Sequence, residues 1–470
     1  MSYVIPAASN DLGLTPKDKA MLQSACFAGM MISGFFWGSI SDTFGRKKLM
    51  IIGFLLSGTL NVLAGVFPIL SLMIVFKFLS GFMFVLYCGP SSIFAAYLSE
   101  VFLKKWRNIA VLSMGMYCAI GLIFLTGLAM LLIPMKVPSQ IPFKSWQLFQ
   151  MASSLPSLIS GIGCIFFVES PKFMAEKGNH EEALKVCRTI YSINTRKPRN
   201  DYPIRKLKGI NRKSKDRSNL SKFLEIFKPP FINKAFIVFL IHIGAFGLFN
   251  ILRLWIPEIF SLVSSSNLNP EEGLCSLLQE GNLARSNFTS EQLKNEEIYV
   301  KMILVYFGGF IGYICFLLLV SFIGMKIMEF ACFLVAGINS LIIPLISADY
   351  VTITMISISL TLYNICIFCN INIMVNIFPT RIRATSLTVL MLVARAGTFF
   401  FNFVFANLIY NYCQFFFYGF AFYSLVMAGL TLLIPQKPIE DKTLVIVNSS
   451  KLNEAASSKA SPNSARNAVL

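Results

Sequence analysis

The chain has 470 residues, of which 55% are hydrophobic and only 14% charged, with 45 phenylalanines and a mean hydropathy of +0.66. A soluble domain carries about 25% charged residues, so an apolar surplus on this scale belongs in lipid and a secreted or enzymatic soluble fold is excluded. The net charge of +18 comes from 41 basic and 23 acidic residues; the basic ones lie between apolar runs, an arrangement that orients a membrane protein and calls for no nucleic acid.

Eleven runs approach the roughly 20 apolar residues that a helix needs to cross a bilayer. They fall at 20–40, 49–67, 70–97, 109–133, 146–168, 235–257, 299–321, 328–347, 351–377, 384–410 and 415–434. Backbone groups in lipid must be satisfied within the segment, so the expected fold class is all-α, a polytopic membrane protein. The eleven cysteines fall almost all inside these runs, and a disulfide framework is not expected.

Residues 1–19 hold no signal peptide, and Asp11, Lys17, Asp18 and Lys19 cancel in charge. The far flank of the first run carries Arg46, Lys47 and Lys48, so the positive-inside bias puts the N-terminus outside and this loop in the cytoplasm. The same loop reads Gly38-Ser39-Ile40-Ser41-Asp42-Thr43-Phe44-Gly45-Arg46-Lys47-Lys48. Gly38 admits a neighbouring helix closely; a carboxylate such as Asp42 can cap a helix N-terminus, and Arg46 can bind carboxylates in a fork. Such a cluster can latch two halves that rock; the blander reading is a tight turn with positive-inside charge. In the third run Lys77 lies too deep to reach water and should face the protein interior. Glu100 to Arg107 follows, and the fifth run ends at Glu169-Ser170-Pro171.

The segment 172–234 carries 17 Lys/Arg and 6 Asp/Glu, whereas 258–297 carries 2 and 7, so the first is expected in the cytoplasm and the second outside or in a lumen. The basic loop divides a five-span half, 1–171, from a six-span half, 235–435. Within the loop, Glu181 to Tyr191 reads as an amphipathic surface helix. Of three Asn-x-Ser/Thr sequons, at Asn219, Asn287 and Asn448, only Asn287 falls on the outer side as a glycan acceptor. On 235–257, His242 and Arg253 project within about 20° of each other and Asn250 about 80° from His242. Ionisable residues in spans mark pathways, although Arg253 near the outer end can also snorkel. Asn364, Asn372 and Asn376 lie on one side of 351–377, where asparagine also serves as interhelical glue. Arg395 sits mid-helix in 384–410 as a path residue or a donor to carbonyls. Cys366 and Cys369 have redox or metal spacing without a second ligand pair, and the Ser/Asn/Ala-rich tail 436–470 reads as disordered and cytoplasmic.

One pattern recurs. Glu100 to Arg107 and Asn376-Ile377-Phe378-Pro379-Thr380-Arg381-Ile382-Arg383 lie 276 residues apart, and Gly45-Arg46-Lys47 is echoed by Gly324-Met325-Lys326 after 279. Two near-equal offsets indicate a duplicated six-helix unit, the parallel repeat of the major facilitator transporters. The Gly38 to Lys48 loop resembles that superfamily's loop signature. Lys77-Phe78-Leu79-Ser80-Gly81 resembles its fourth-helix Arg-x-x-x-Gly motif, and Glu169-Ser170-Pro171-Lys172-Phe173 resembles the Pro-Glu-Ser-Pro-Arg signature of sugar porters and organic ion transporters. Ser145-Trp146, Leu103, Trp255-Ile256-Pro257 and Phe378-Pro379-Thr380 look most like the synaptic vesicle glycoprotein 2-like branch, over about residues 3 to 437. Tyr3 to Ala8 resembles the stretch just after the family's first helix, so the resemblance implies that the first of twelve spans is the one missing here. Asn376 stands where the family has an acidic residue.

The resemblance implies an inner gate made of Gly38, Asp42, Gly45, Arg46, Glu100, Arg107, Glu169, Pro171, Asn376, Pro379 and Arg383. It also implies a substrate path containing Lys77, His242, Asn250, Arg253, Asn364, Asn372 and Arg395. Neither a nucleophile set nor a nucleotide-binding loop is present, so no enzyme chemistry, cofactor or metal is expected. The expected function is secondary transport of a small polar organic solute, with or without a coupling ion, by alternating access in the plasma membrane or a secretory or synaptic-type vesicle. The alternative is a non-transporting binding or regulatory protein of the synaptic vesicle type.

Overall fold

The computed structural model describes residues 1–84, 97, 101, 104–138, 140–205, 225–229, 232–263, 273–284, 296–346, 350–378, 380–409 and 412–434, and all its regular elements are helices. In the first half these are α1 (Val4–Leu12), α2 (Pro16–Phe44), α3 (Arg46–Val66), α4 (Leu70–Phe84), α5 (Lys104–Leu132), α6 (Ser145–Ala152) and α7 (Leu155–Gly163). Two short helices follow, α8 (Pro171–Glu176) and α9 (His180–Thr195), the latter covering the amphipathic stretch. The second half has α10 (Ile232–Val263), α11 (Leu274–Ala284), α12 (Glu296–Ile323), α13 (Met325–Ile342), α14 (Tyr350–Ile377), α15 (Thr380–Leu408) and α16 (Cys413–Leu432).

Among the described residues nine stretches are long and apolar enough to cross a membrane; α4 is apolar but shorter, and α2 is not one of the nine. Residues 85–96 of the expected run 70–97 lie outside the described residues. The run 20–40 falls on the 29-residue α2, whose start is set by Thr15 and Asp18: each side chain caps the other's backbone N–H, with Pro16 in the first turn.

Within the first half α2 packs on α4, α4 on α3, and α3 on α6 and α7. Where α2 meets α4 the backbones touch: a Cβ on Gly29 would stand 2.0 Å from the Phe78 carbonyl oxygen, and one on Gly81 2.1 Å from that of Cys26. Small residues are what allow this approach, so Gly81, the glycine of the Lys77-x-x-x-Gly81 motif, fixes the depth at which Lys77 is held. In the second half α10 packs on α14, α15 and α16, and α13 on α14 and α16. The halves meet through α2 with α15 and α5 with α12.

The repeat is visible in geometry. Gly45 and Gly324, each just before a helix, adopt φ/ψ of 94°/151° and 83°/150°, a region that favours glycine. Asn61 of α3 donates to Ser80 Oγ of α4 at 2.7 Å, and Asn339 of α13 donates to Ser359 Oγ of α14 at 2.6 Å. The two amides stand on matching helices one position out of register, while Ser80 and Ser359 keep the 279-residue offset of the two glycines.

Two features depart from the sequence reading. The run 146–168 is broken into α6 and α7 at Ser153-Ser154, because Pro156 has no N–H to give and its ring opposes the carbonyl four residues back. A disulfide joins Cys275 of α11 to Cys413 at the start of α16. The expectation that cysteines stay unpaired fails at these two because both stand at helix ends, outside the apolar interior. The bridge closes 138 residues of chain. Replacing both cysteines by serine should cost about 2–4 kcal/mol and lower the melting temperature read by intrinsic fluorescence. An unchanged melting temperature would show that the link contributes nothing.

Candidate functional site

At the inner turn the acceptor is Glu169. Its Oε1 receives backbone N–H groups of Arg46 at 3.2 Å, Lys47 at 3.1 Å and Ser170 at 2.9 Å, so one carboxylate caps the first turn of α3. A Cβ on Gly45 would lie 2.7 Å from Glu169 Oε2, a second reason for glycine there. Ser170 Oγ accepts from Phe173 N–H, Pro171 opens α8, and the Arg46 guanidinium lies over the Phe173 ring at 5.7 Å. All these contacts lie within the first half. Gly38, Asp42, Arg107, Asn376 and Arg383 are on described helices, but their side chains lie outside the described residues, as do Glu100, Pro379 and the sequon Asn287.

The second group is central and cationic. Lys77 of α4, buried, donates to Asn61 Oδ1, and Gln150 of α6 donates to the same oxygen at 3.3 Å. Across the interface Arg253 Nη2 donates to Asn250 Oδ1 at 3.0 Å, and its guanidinium stands 6.0 Å from the Phe249 ring. Lys77, Arg253 and Arg395 are all within electrostatic reach of Cys26 on α2. Arg395, on α15, donates to the Met30 carbonyl of α2 at 3.1 Å. Tyr306 of α12 is near both Arg253 and Tyr3, and Tyr3 shares a hydrogen bond of 2.6 Å with Thr126 of α5. Several acidic side chains of the helices are engaged or placed elsewhere: Glu258 with Lys19, Asp11 with Lys144 and Trp146, Glu297 with Lys301, and Glu329 inside the second half.

The other expected path residues separate. His242 is fully buried and faces Asn370 of α14. Asn372 donates to the Phe368 carbonyl of its own helix at 2.8 Å, and Asn364 is half-buried on α14. Asn250, too, donates to a carbonyl one turn back, Phe246, at 2.8 Å.

Sequence reading missed the contacts that tie the halves together. Lys19, in the first turn of α2, pairs with Glu258 near the end of α10, and both are buried. Asn402 of α15 donates to the Ala20 carbonyl at 2.9 Å and to Ser24 Oγ at 2.7 Å, while its Oδ1 accepts from Trp255 Nε1 at 2.7 Å. Lys19 counted only as flanking charge and Glu258 only as loop charge. The signal available was the continuation of helix α10 through Pro257 to Val263.

Two helical repeats that meet about a polar centre are the fold of the major facilitator superfamily. The sequence profile of the family described as Sugar (and other) transporter matches residues 7–264, and the chain belongs to that family. Human synaptic vesicle glycoprotein 2C is 29% identical over 225 residues, covering 44% of this chain and 29% of that protein. Rat synaptic vesicle glycoprotein 2B is 26% identical over 210 residues, 42% of this chain and 29% of that one. The match thus spans less than a third of these relatives' length. In fold, the chain is similar to the xylose transporter XylE from E. coli in a partially occluded inward open conformation, with a TM-score of 0.65 and 13% identity, covering 93% of this chain and 95% of that one. A second inward open structure of the same transporter gives 0.62 at 13% identity, covering 94% and 93%.

The Lys19–Glu258 pair yields a prediction. Removing one partner strands a buried charge, so Lys19→Met or Glu258→Gln alone should destabilise by about 3–5 kcal/mol, whereas the double variant recovers most of the loss. Melting of the purified protein reads this cycle. Additive losses would mean that the two residues do not act as a pair.

Proposed function

We propose that the protein moves a small polar organic solute across its membrane by alternating access, and that the solute carries a negatively charged group. The observation that carries this reading is the placement of Lys77 and Arg253. One comes from each half, and the described partners of both are amides, Asn61 and Asn250. A carboxylate or phosphate between them would give each cation its missing counter-charge in a setting of low dielectric. It would also be gripped by both halves at once, as a rocking transporter requires.

The cross-half ties support closure at one end. Lys19 and Gly45 stand at opposite ends of α2, and the described polar ties reach from Lys19 as far as Met30. We assign the Gly45 end to the cytoplasm, with the long basic loop and the tail, and the Lys19 end to the outside or a lumen. The Cys275–Cys413 bridge fits that side, where disulfides persist. The proton:xylose symporter of similar fold supports a coupling proton.

A solute panel tests the substrate class. Organic carboxylates or phosphates should raise the melting temperature of the reconstituted protein where neutral sugars and organic cations do not. Lys77→Met and Arg253→Met should reduce uptake into vesicles by about tenfold or more, the equivalent of one lost charge-assisted hydrogen bond. Absence of any solute effect across the panel would favour the second reading, a non-transporting membrane binding protein like the synaptic vesicle relatives.

The inner turn has its own test. Asp42→Ala should change the uptake rate while leaving expression intact, through loss of the latch that stabilises the outward-facing state. Equal uptake by the variant removes Asp42 from that role.

A further inference from the structure

A second polar group lies inside the C-terminal half, away from the cationic centre. Glu329 of α13, Asn370 of α14 and His242 of α10 are each 0% exposed. Asn370 stands between the other two and interacts with both. No hydrogen bond closes on either Glu329 carboxylate oxygen, on either amide atom of Asn370 or on either nitrogen of His242. Six polar atoms from three helices are therefore left open in one place, where each unsatisfied group costs free energy and an uncompensated carboxylate costs most.

Among the described residues no lysine or arginine acts on the carboxylate; on α10, Arg253 and Glu258 lie 11 and 16 residues beyond His242, and the side chain of Lys234 lies outside the described residues. Lys326, one turn earlier on α13, is turned to the end of α16, where it donates to the carbonyls of Leu432 and Ile434 at 2.8 and 2.7 Å. Neither α14 nor α16 carries a charged residue, and the charged residues of α12 are at its opposite end. The titratable groups that act on Glu329 or feel it are the thiols of Cys332, Cys366 and Cys369, and His242 shares Asn370 with it as a neighbour.

We propose that Glu329, Asn370 and His242 form a proton-binding site, in which the amide of Asn370 links the carboxyl to the imidazole. With the proton on Glu329, its O–H donates to Asn370 Oδ1 and Asn370 Nδ2 donates to a bare imidazole nitrogen. With the proton on His242, the amide turns over: the imidazolium N–H donates to Oδ1 and Nδ2 donates to the carboxylate. Each arrangement holds one proton, keeps the net charge the same and uses the groups left open in the structure. Asparagine suits the middle position because its side chain both donates and accepts. Glu329 lies five residues beyond Gly324, about 7 Å along the helix, and His242 ten residues into α10, about 15 Å. The site thus runs from near the Gly324 turn towards the membrane centre. It is a coupling site for the transport reading above, but its occupancy can be measured without any solute, so it can fail while transport stands.

Infrared difference spectroscopy of the full chain in lipid, recorded as pH is stepped, reads buried carboxylic acids directly. The wild type should show a carbonyl band that comes and goes with pH and is missing from Glu329→Gln. Asn370→Leu and His242→Phe should each move its midpoint by about one pH unit or more, a tenfold change in proton affinity. Identical difference spectra for wild type and Glu329→Gln overturn the proposal. If Glu329→Gln does not fold, an unmoved midpoint in Asn370→Leu overturns it instead. Stabilisation of the wild type by sodium ions, lost in the glutamate variant, would also overturn it by assigning the open ligands to a metal cation.

Discussion

No water reaches the middle of a bilayer, so every polar group the chain carries there must find its partner in protein. That constraint makes each span a helix despite the many Phe, Ile and Val residues. It also sorts the polar side chains into three kinds. Some bond to a carbonyl of their own helix, as Asn372 and Asn407 do with Phe368 and Phe403. Others bridge neighbouring helices, as Asn61 and Asn339 do with Ser80 and Ser359. The remainder meet no group of matching charge, and these gather in two places: the cationic centre and the interior of the second half.

The two places fall on a duplicated frame. Gly45 and Gly324 repeat one backbone turn, and the asparagine–serine bridges repeat one helix contact. The repeat does not extend to charge. The first half holds a buried lysine, Lys77, beside the asparagine bridge, and the second half holds a buried carboxyl, Glu329, one turn inside the glycine. Duplication supplied a symmetric scaffold, and the charged side chains set into it have diverged.

Much of the frame was legible in the sequence because it rests on local patterns. Apolar runs give spans, and a glycine followed by basic residues gives the turn. Glu169-Ser170-Pro171 announces a helix start, though its carboxylate turns out to cap α3 as well, 122 residues back. Features resting on long-range convergence were hidden. Lys19 and Glu258 are 239 residues apart, and charge counting assigned each to a flank or loop. Asn364, Asn372 and Asn376 drew attention as one side of α14, whereas the asparagine that meets another helix's ionisable group is Asn370. Glu329 drew no attention in the sequence, where it stands one turn after Lys326. In space the lysine serves the end of α16. The break at Pro156 was readable from the proline alone.

The nature of the contacts between halves follows from what they have to do. Inside the first half α2 and α4 meet backbone to backbone at Gly29 and Gly81, a dry contact that nothing replaces once it is opened. Between the halves α2 meets α10 and α15 through an ion pair and the amide of Asn402. A buried ion pair gains little over its hydrated parts, because the desolvation it suffers nearly cancels its attraction. In the transport reading proposed above, Lys19 and Glu258 regain hydration when opened to water, so closed and open states would differ by only a few kcal/mol, the range in which a bound solute can shift the balance. An apolar seal of the same extent would lose free energy on every exposed methylene and hold one state. An ion pair and an amide cluster therefore suit this part of the seam if, as proposed above, the two halves part there.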